Sequence, residues 1–216
     1  MSGSAEGRTD GRVLRGQRNT QAILDALLDL YRQGIFTPTL TEVAQAAGVT
    51  TRAVYHRFAD IEAIAREVGR RQIKEHRARF YSAALSEGPL HERIVSFVDI
   101  RMAMYERIAP VRRAAMVNLH RSDVTREQLR FAWALGRQQI ERAFEHELKR
   151  LDERRRRQLL ESLDLLTSFE CWDRMRARQQ LHETEVRTIL IDLLTAALEA
   201  ERIGAAAVAG SVPGGV

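Results

Sequence analysis

The stretch from Thr39 to Phe58 reads TLTEVAQAAGVTTRAVYHRF, and the side chains after its glycine are suited to bonding a polyanion. Thr50, Thr51, Arg52, Ala53, Tyr55 and His56 are small, hydrogen-bonding or aromatic, with no acid among them. A solvated helix more usually carries Glu and Lys on its outer face. A guanidinium can bond a guanine edge at two points, worth about 1–3 kcal/mol of discrimination between bases. Arg52 is therefore the leading candidate for reading a base, with Thr50, Thr51 and Ala53 beside it. Tyr55, His56 and Thr39 are expected on phosphates, where contacts set register.

These residues need a scaffold, and the local sequence supplies one. Thr39 with Glu42 three positions later makes a capping box. Leu40, Val43, Ala44 and Ala47 follow at helical spacing and should face inward. Gly48 stands where a helix must end in a left-handed conformation that glycine adopts cheaply. Val49 would plug the angle between two helices. Thr50 caps the second, with Val54 and Phe58 as its buried face. A helix, a tight glycine turn and a second helix with a polar outer face form a device for entering the DNA major groove.

Ile23-Leu24, Val43-Ala44, Ala47-Gly48-Val49-Thr50, Val54-Tyr55 and Phe58 together resemble the N-terminal domain of TetR-type transcriptional repressors. The resemblance is strong over about residues 18–68 and architectural over the rest. It implies a ligand-responsive homodimer on a palindromic operator. One departure stands out: many members carry a lysine three residues after the final Phe, and this chain has Ile61. The fourth helix is then expected to contribute less to backbone binding, or to do so through its N-terminal amides.

Composition bounds the rest. A chain of 216 residues with 44% hydrophobic and 29% charged residues is ample for a core. It shows no apolar run of about 18 residues and no signal-peptide core. One cysteine, Cys171, rules out an intrachain disulfide, and a cytoplasmic protein is the simplest expectation. The net charge of +5 suits nucleic acid but proves nothing alone. Arg12, Arg15 and Arg18 lie ahead of the first helix with no acid between Gly11 and Leu24, an arm able to lie along phosphates or to be a solvated tail.

Punctuation predicts an all-α chain of about nine helices. Residues 1–16 read as a disordered basic arm, 17–60 as the helix-turn-helix domain, 61–202 as a ligand-binding and dimerisation domain, and 203–216 as a loose tail. The expected helices after Phe58 run from about Asp60 to Leu85, Leu90 to Ile108 (stopped by Pro110), Val111 to His120, Val124 to Arg150, Asp152 to Gln180 and Glu183 to Arg202.

In the last helix Val186, Ile189, Leu190, Leu193, Leu194 and Ala197 share a stripe, and Leu163 and Leu166 share one in the helix before it. Two such helices packed as a pair leave a face for a second copy, giving a four-helix bundle across a two-fold axis. A ligand pocket is expected mid-chain. Phe131 and Trp133 lie in a nearly all-apolar run, and Met102, Tyr105 and Met116 suit a shape-adaptable cavity or a plain core equally. Arg101 sits at the centre of one apolar stripe and Glu170 within another. Buried charges are costly unless paired, so either these two satisfy each other or nearby groups, or one is held for a ligand's polar group.

Catalytic patterns are missing: no Gly-rich phosphate loop, no GxSxG, no His-Glu-x-x-His, and scattered histidines with no Glu three residues before any of them. No cofactor or metal is expected. The expected partners are an operator duplex, a second copy and a small mainly apolar effector, with no membrane. An activator on the same scaffold, or a helical carrier or enzyme without operator binding, are the alternatives.

Overall fold

The apolar stripes fold as helices, with no strand among the described residues of the computed structural model. Described are the backbone of residues 6–80 and 87–210 and the side chains of 13–75 and 87–200. The helices are α1 (Glu6–Arg32), α2 (Leu40–Ala46), α3 (Thr51–Tyr55), α4 (Ile61–Phe80), α5 (Leu90–Asn118), α6 (Asp123–Ala143), α7 (Glu145–Leu148), α8 (Glu153–Leu166), α9 (Phe169–Asp173) and α10 (Glu183–Gly210). A π-helical turn, Arg174–Arg178, follows α9.

Several boundaries differ from the sequence expectation, each for a physical reason. α1 begins at Glu6, not near Gln17; the added stretch has no proline, and Glu6 suits a helix start. α10 runs on to Gly210 because the segment after Arg202 is rich in alanine, the best helix former. Pro110 does not divide two helices but lies inside α5. Its ring removes one backbone donor, yet Ala109 and Ala114 on either side are buried and hold the helix through it. The expected helix from Asp152 to Gln180 is broken at Thr167, and the one from Val124 to Arg150 at Phe144, whose backbone leaves helical geometry (φ −118, ψ 27). Residues 1–5, 81–86 and 211–216, parts of the expected arm, fourth helix and tail, lie outside the described residues.

Contacts group the chain into two units. The first holds residues up to Glu75 with Ile108–Arg130, the second His76–Arg107 with Phe131 onward. The first unit's core gathers Ile23, Leu27, Val43, Val54, Ile64 and Val68 from α1 to α4, with Ala114 of α5. Asn118 Nδ2 donates to the Phe36 carbonyl at 3.0 Å and so ties α5 to the loop after α1. Tyr31 is buried in the same core, and that burial pushes its phenol up from 10.0 to about 12.

The second unit packs Phe97 on Phe144 with ring centroids 5.2 Å apart, and buries Leu159, Leu163, Val186, Leu190 and Leu194. A buried arginine of this unit, Arg93, pairs with Glu147 at 2.6 and 3.1 Å and also donates to the carbonyls of Gly88 and Ala143. The break at Phe144 explains the last contact. Glu147 N–H turns to the Phe144 carbonyl, so the Ala143 carbonyl needs another donor.

Two stability predictions follow from these contacts. Arg93→Ala strands the Glu147 charge and should cost about 3–5 kcal/mol, whereas Arg187→Ala, which removes an exposed pair with Asp99, should cost about 1 kcal/mol or less; urea unfolding of both variants measures the difference. For Tyr31 the folded phenol ionises at higher pH than the unfolded one. Its contribution is therefore complete below pH 10.0 and declines as pH rises toward about 12. Denaturation across that window should show the decline in the native protein and less of it in Tyr31→Phe.

Candidate nucleic-acid interface and a buried polar cluster

The helix-turn-helix is built by its caps. Thr39 Oγ1 accepts from Glu42 N–H at 3.2 Å, and the Glu42 carboxylate accepts from the Thr39 backbone N–H at 2.7 Å, completing the capping box. Those bonds from Thr39 hold the Glu42 carboxyl below the usual carboxylate range. Gly48 has φ +65, and the turn closes through Val49 N–H to the Ala44 carbonyl at 3.0 Å and Gly48 N–H to Gln45 at 3.1 Å. That pair of bonds is a Schellman closure, which requires the left-handed residue. α3 then starts at the Thr50 cap, whose Oγ1 accepts from Ala53 N–H at 3.2 Å.

With Val54 wholly buried and Phe58 half-buried, the remaining α3 side chains face outward. Arg52, His56 and Thr50 are exposed, Thr51 and Ala53 half-exposed, and Tyr55 is 59% exposed. Thr39 is exposed as well, but its hydroxyl donates to Glu42 at 2.8 Å, so a phosphate would compete with the cap for that proton. At the start of α4, Asp60 Oδ1 accepts from Ala63 N–H at 2.7 Å. This carboxylate occupies a first-turn amide, which leaves the start of α4 poorly suited to a phosphate.

One residue of this face escaped the sequence reading. Arg57, just beyond α3, donates from Nη1 to Thr20 Oγ1 at 2.8 Å, linking the end of the outward helix to α1. A Cβ at Gly16 would meet Arg57 Nη2 at 2.8 Å, so a larger residue there would make the flexible guanidinium shift. The pairing spans 37 positions of sequence, so no local pattern could announce it.

In the second unit Arg101 is 4% exposed. Its Nη1 donates to the Thr167 carbonyl (2.9 Å) and Oγ1 (2.8 Å), and its Nη2 to the Gly136 carbonyl (2.7 Å). Gln139 Oε1 accepts from both Nε and Nη2 of Arg101, at 3.2 and 3.1 Å. Its guanidinium carbon also lies 4.6 Å from the Phe97 ring centre. Nearby neutral groups, and not Glu170, take the hydrogen bonds of Arg101. The break at Thr167 supplies one of these acceptors, its carbonyl, since a carbonyl at a helix end is free to accept from a cation. Tyr105 OH donates to the same carbonyl at 2.7 Å, and Tyr105, Phe169 and Trp172 form an aromatic cluster with centroids 5.5–5.6 Å apart.

The expected pocket residues are therefore divided. Arg101, Met102 and Tyr105 are buried together in the second unit, and Glu170 is half-buried on α9. Phe131 and Trp133, by contrast, are 52% and 40% exposed on α6, and Met116 belongs to the first unit. α6 buries Gln139, Ile140 and Ala143 instead, and a run that is apolar all round a helix gives periodicity no face to choose. Gln139, Thr167 and Trp172 belong to the cluster without having been singled out. The available signal was Ser168, whose side chain accepts from Cys171 N–H at 3.1 Å and caps α9. Burial pushes the Cys171 thiol up, against any activated role.

Of the expected dimer residues, Leu163, Val186, Leu190 and Leu194 are buried within their own unit. Ile189, Leu166 and Ala197 are half-buried, and Leu193 is 40% exposed. Leu165, on the same side chain arc of α8, is 71% exposed. No described helix is long and apolar enough to cross a membrane.

Known proteins resemble this arrangement. Residues 23–68 match the family of bacterial regulatory proteins, tetR family. No curated protein matches the sequence. Among solved structures, a tetR-family transcriptional regulator from Streptomyces coelicolor superposes with a TM-score of 0.66 at 18% identity, over 88% of this chain and 89% of that one. A transcriptional regulator from Rhodococcus sp. gives 0.64 at 20% identity, over 84% and 96%. The fatty acid degradation regulator of Bacillus halodurans gives 0.55 at 16% identity, over 83% and 94%. Identities this low carry the fold. Residues 23–68 thus form a helix-turn-helix DNA-binding domain of the tetR family, and the chain has the fold of that family's transcriptional regulators.

Proposed function

We propose that this chain is a homodimeric repressor that reads a palindromic operator with α3 and leaves it when a small, mainly apolar molecule binds the second unit. The observation that carries this reading is the outward face of α3. It presents Thr51, Arg52, Ala53 and Tyr55 without an acid, on a helix whose start is fixed by a cap and a glycine turn. Arg52 reads a base edge, and Tyr55 and His56 hold phosphates. Arg57 acts by positioning, since its bond to Thr20 fixes the end of that face.

A single five-residue helix makes few base contacts, so useful affinity calls for two. The arc that supports a two-fold contact is Leu165 and Leu193, which are exposed, with the half-buried Leu166, Ile189 and Ala197. Release follows by linkage. A molecule that favours a form unable to span successive grooves must weaken operator binding, commonly by about 1–3 kcal/mol. The buried aromatic and methionine side chains of the second unit support a mainly apolar effector, as does the similarity to the fatty acid degradation regulator of Bacillus halodurans.

Arg52→Ala should lose about 1–3 kcal/mol at one operator position and little elsewhere, whereas Tyr55→Phe should weaken all duplexes alike; fluorescence anisotropy on single-base operator variants distinguishes the two patterns. Leu165→Glu combined with Leu193→Glu should yield a folded monomer by sedimentation equilibrium with strongly reduced operator affinity. A double variant that remains dimeric would place the interface elsewhere.

A further inference from the structure

We infer that the second unit binds an effector with an anionic oxygen head on an apolar body, and that Trp172 Nε1 and Gln139 Nε2 donate to that head. The inference rests on the proposed effector-binding role of this unit and names the chemical class it accepts.

Two buried donors carry it. Trp172 Nε1 and Gln139 Nε2 are both buried, and neither has a hydrogen-bond acceptor among the described residues. The amide of Gln139 cannot simply be reversed, because its oxygen accepts twice from Arg101. Reversal would aim its NH₂ at a guanidinium that has only donors. A buried donor left unmade is costly, and folded proteins keep few of them. Both orphans lie in one connected cluster. Gln139 bonds Arg101, Arg101 and Tyr105 share the Thr167 carbonyl, and Tyr105 packs on Trp172 at 5.6 Å.

Charge selects the kind of acceptor. The hydrogen bonds of Arg101 go to two carbonyls, one hydroxyl and one amide oxygen, so dipoles rather than a bonded carboxylate offset its charge. Asp164, which feels that charge, is half-buried and held above the usual carboxylate range by desolvation. A cationic head would be repelled here, and a neutral alcohol would leave the field of Arg101 unused. An anionic oxygen satisfies both orphan donors and the field together, with charge-assisted hydrogen bonds the stronger kind. The surroundings suit an apolar tail. Met102 and Met175 are buried in the same unit, and unbranched thioethers adapt their shape readily. The π-turn at Arg174–Arg178 starts two residues after Trp172, and such turns recur at functional sites.

The test uses the full chain and calorimetry with octanoate, dodecanoate and hexadecanoate, each against the alcohol and the amine of equal length. At least one carboxylate should bind about tenfold or more tightly than its alcohol, and the amines should not bind. Trp172→Phe keeps an aromatic ring and removes the donor; it should weaken the carboxylate about tenfold and the alcohol clearly less, because the bond to an ionised acceptor is the stronger, whereas mere loss of packing would weaken both alike. Gln139→Glu, which places a carboxylate beside Arg101, should abolish carboxylate binding, and near-ultraviolet dichroism checks that each variant is folded. Equal binding of acid and alcohol overturns the inference, as does unaltered carboxylate affinity in both variants, or no binding of any probe. Operator binding by the native protein is measured alongside. Carboxylate binding without operator binding sinks the repressor reading alone, and operator binding without carboxylate binding sinks this inference alone.

Discussion

The left-handed turn at Gly48 governs what the first unit can do. With φ at +65, the chain leaves α2 through two backbone hydrogen bonds and enters α3 at an angle that a side chain at this position would strain. Val54 then falls into the core shared by α1, α2 and α4, so its neighbours on the helix must face outward. Presentation of Arg52 and Tyr55 is thus a consequence of backbone geometry and of one buried valine. Arg57 adds a second anchor to α1, at a site where Gly16 leaves room for the guanidinium.

What was legible in the sequence was what depends on near neighbours. Thr39 with Glu42, the Thr50 cap and the Gly48 turn are all contacts within a few positions, so residue type and spacing suffice to read them. Pro110 misled because a local rule met a tertiary one: burial on both sides outweighs one missing backbone donor, and α5 continues. The break at Thr167 was hidden by an apolar period that runs through it from Leu163 to Trp172. The paired stripes of α8 and α10 were visible, but no periodicity separates a leucine covered by its own unit, such as Leu194, from an exposed one, such as Leu165. Arg101 stood out as a charge on an apolar stripe, whereas its acceptors come from Gly136, Gln139 and Thr167, far along the chain.

The second unit turns its irregularities to use. Where α8 ends at Thr167 and α6 ends at Ala143, carbonyls that a continuous helix would bond internally are taken by Arg101 and Arg93. Each arginine thereby ties separate helices together by bonds that backbone alone could not make. The two clusters differ in one respect. Arg93 meets a carboxylate in Glu147, while among the described residues Arg101 donates to neutral oxygens, in a cluster with two donors that have no acceptor there. The first is a closed structural clamp; the second keeps unmet hydrogen-bonding capacity of a single polarity.

The outward face of α3 is proposed to bind duplex DNA. The most direct measurement is the affinity of the purified protein for the DNA upstream of its own coding sequence, followed across salt concentration. Specific binding is expected, with log affinity falling linearly and steeply with log salt as phosphate contacts release counterions. Affinity no greater than for unrelated duplex at low salt, or affinity indifferent to salt, would contradict it.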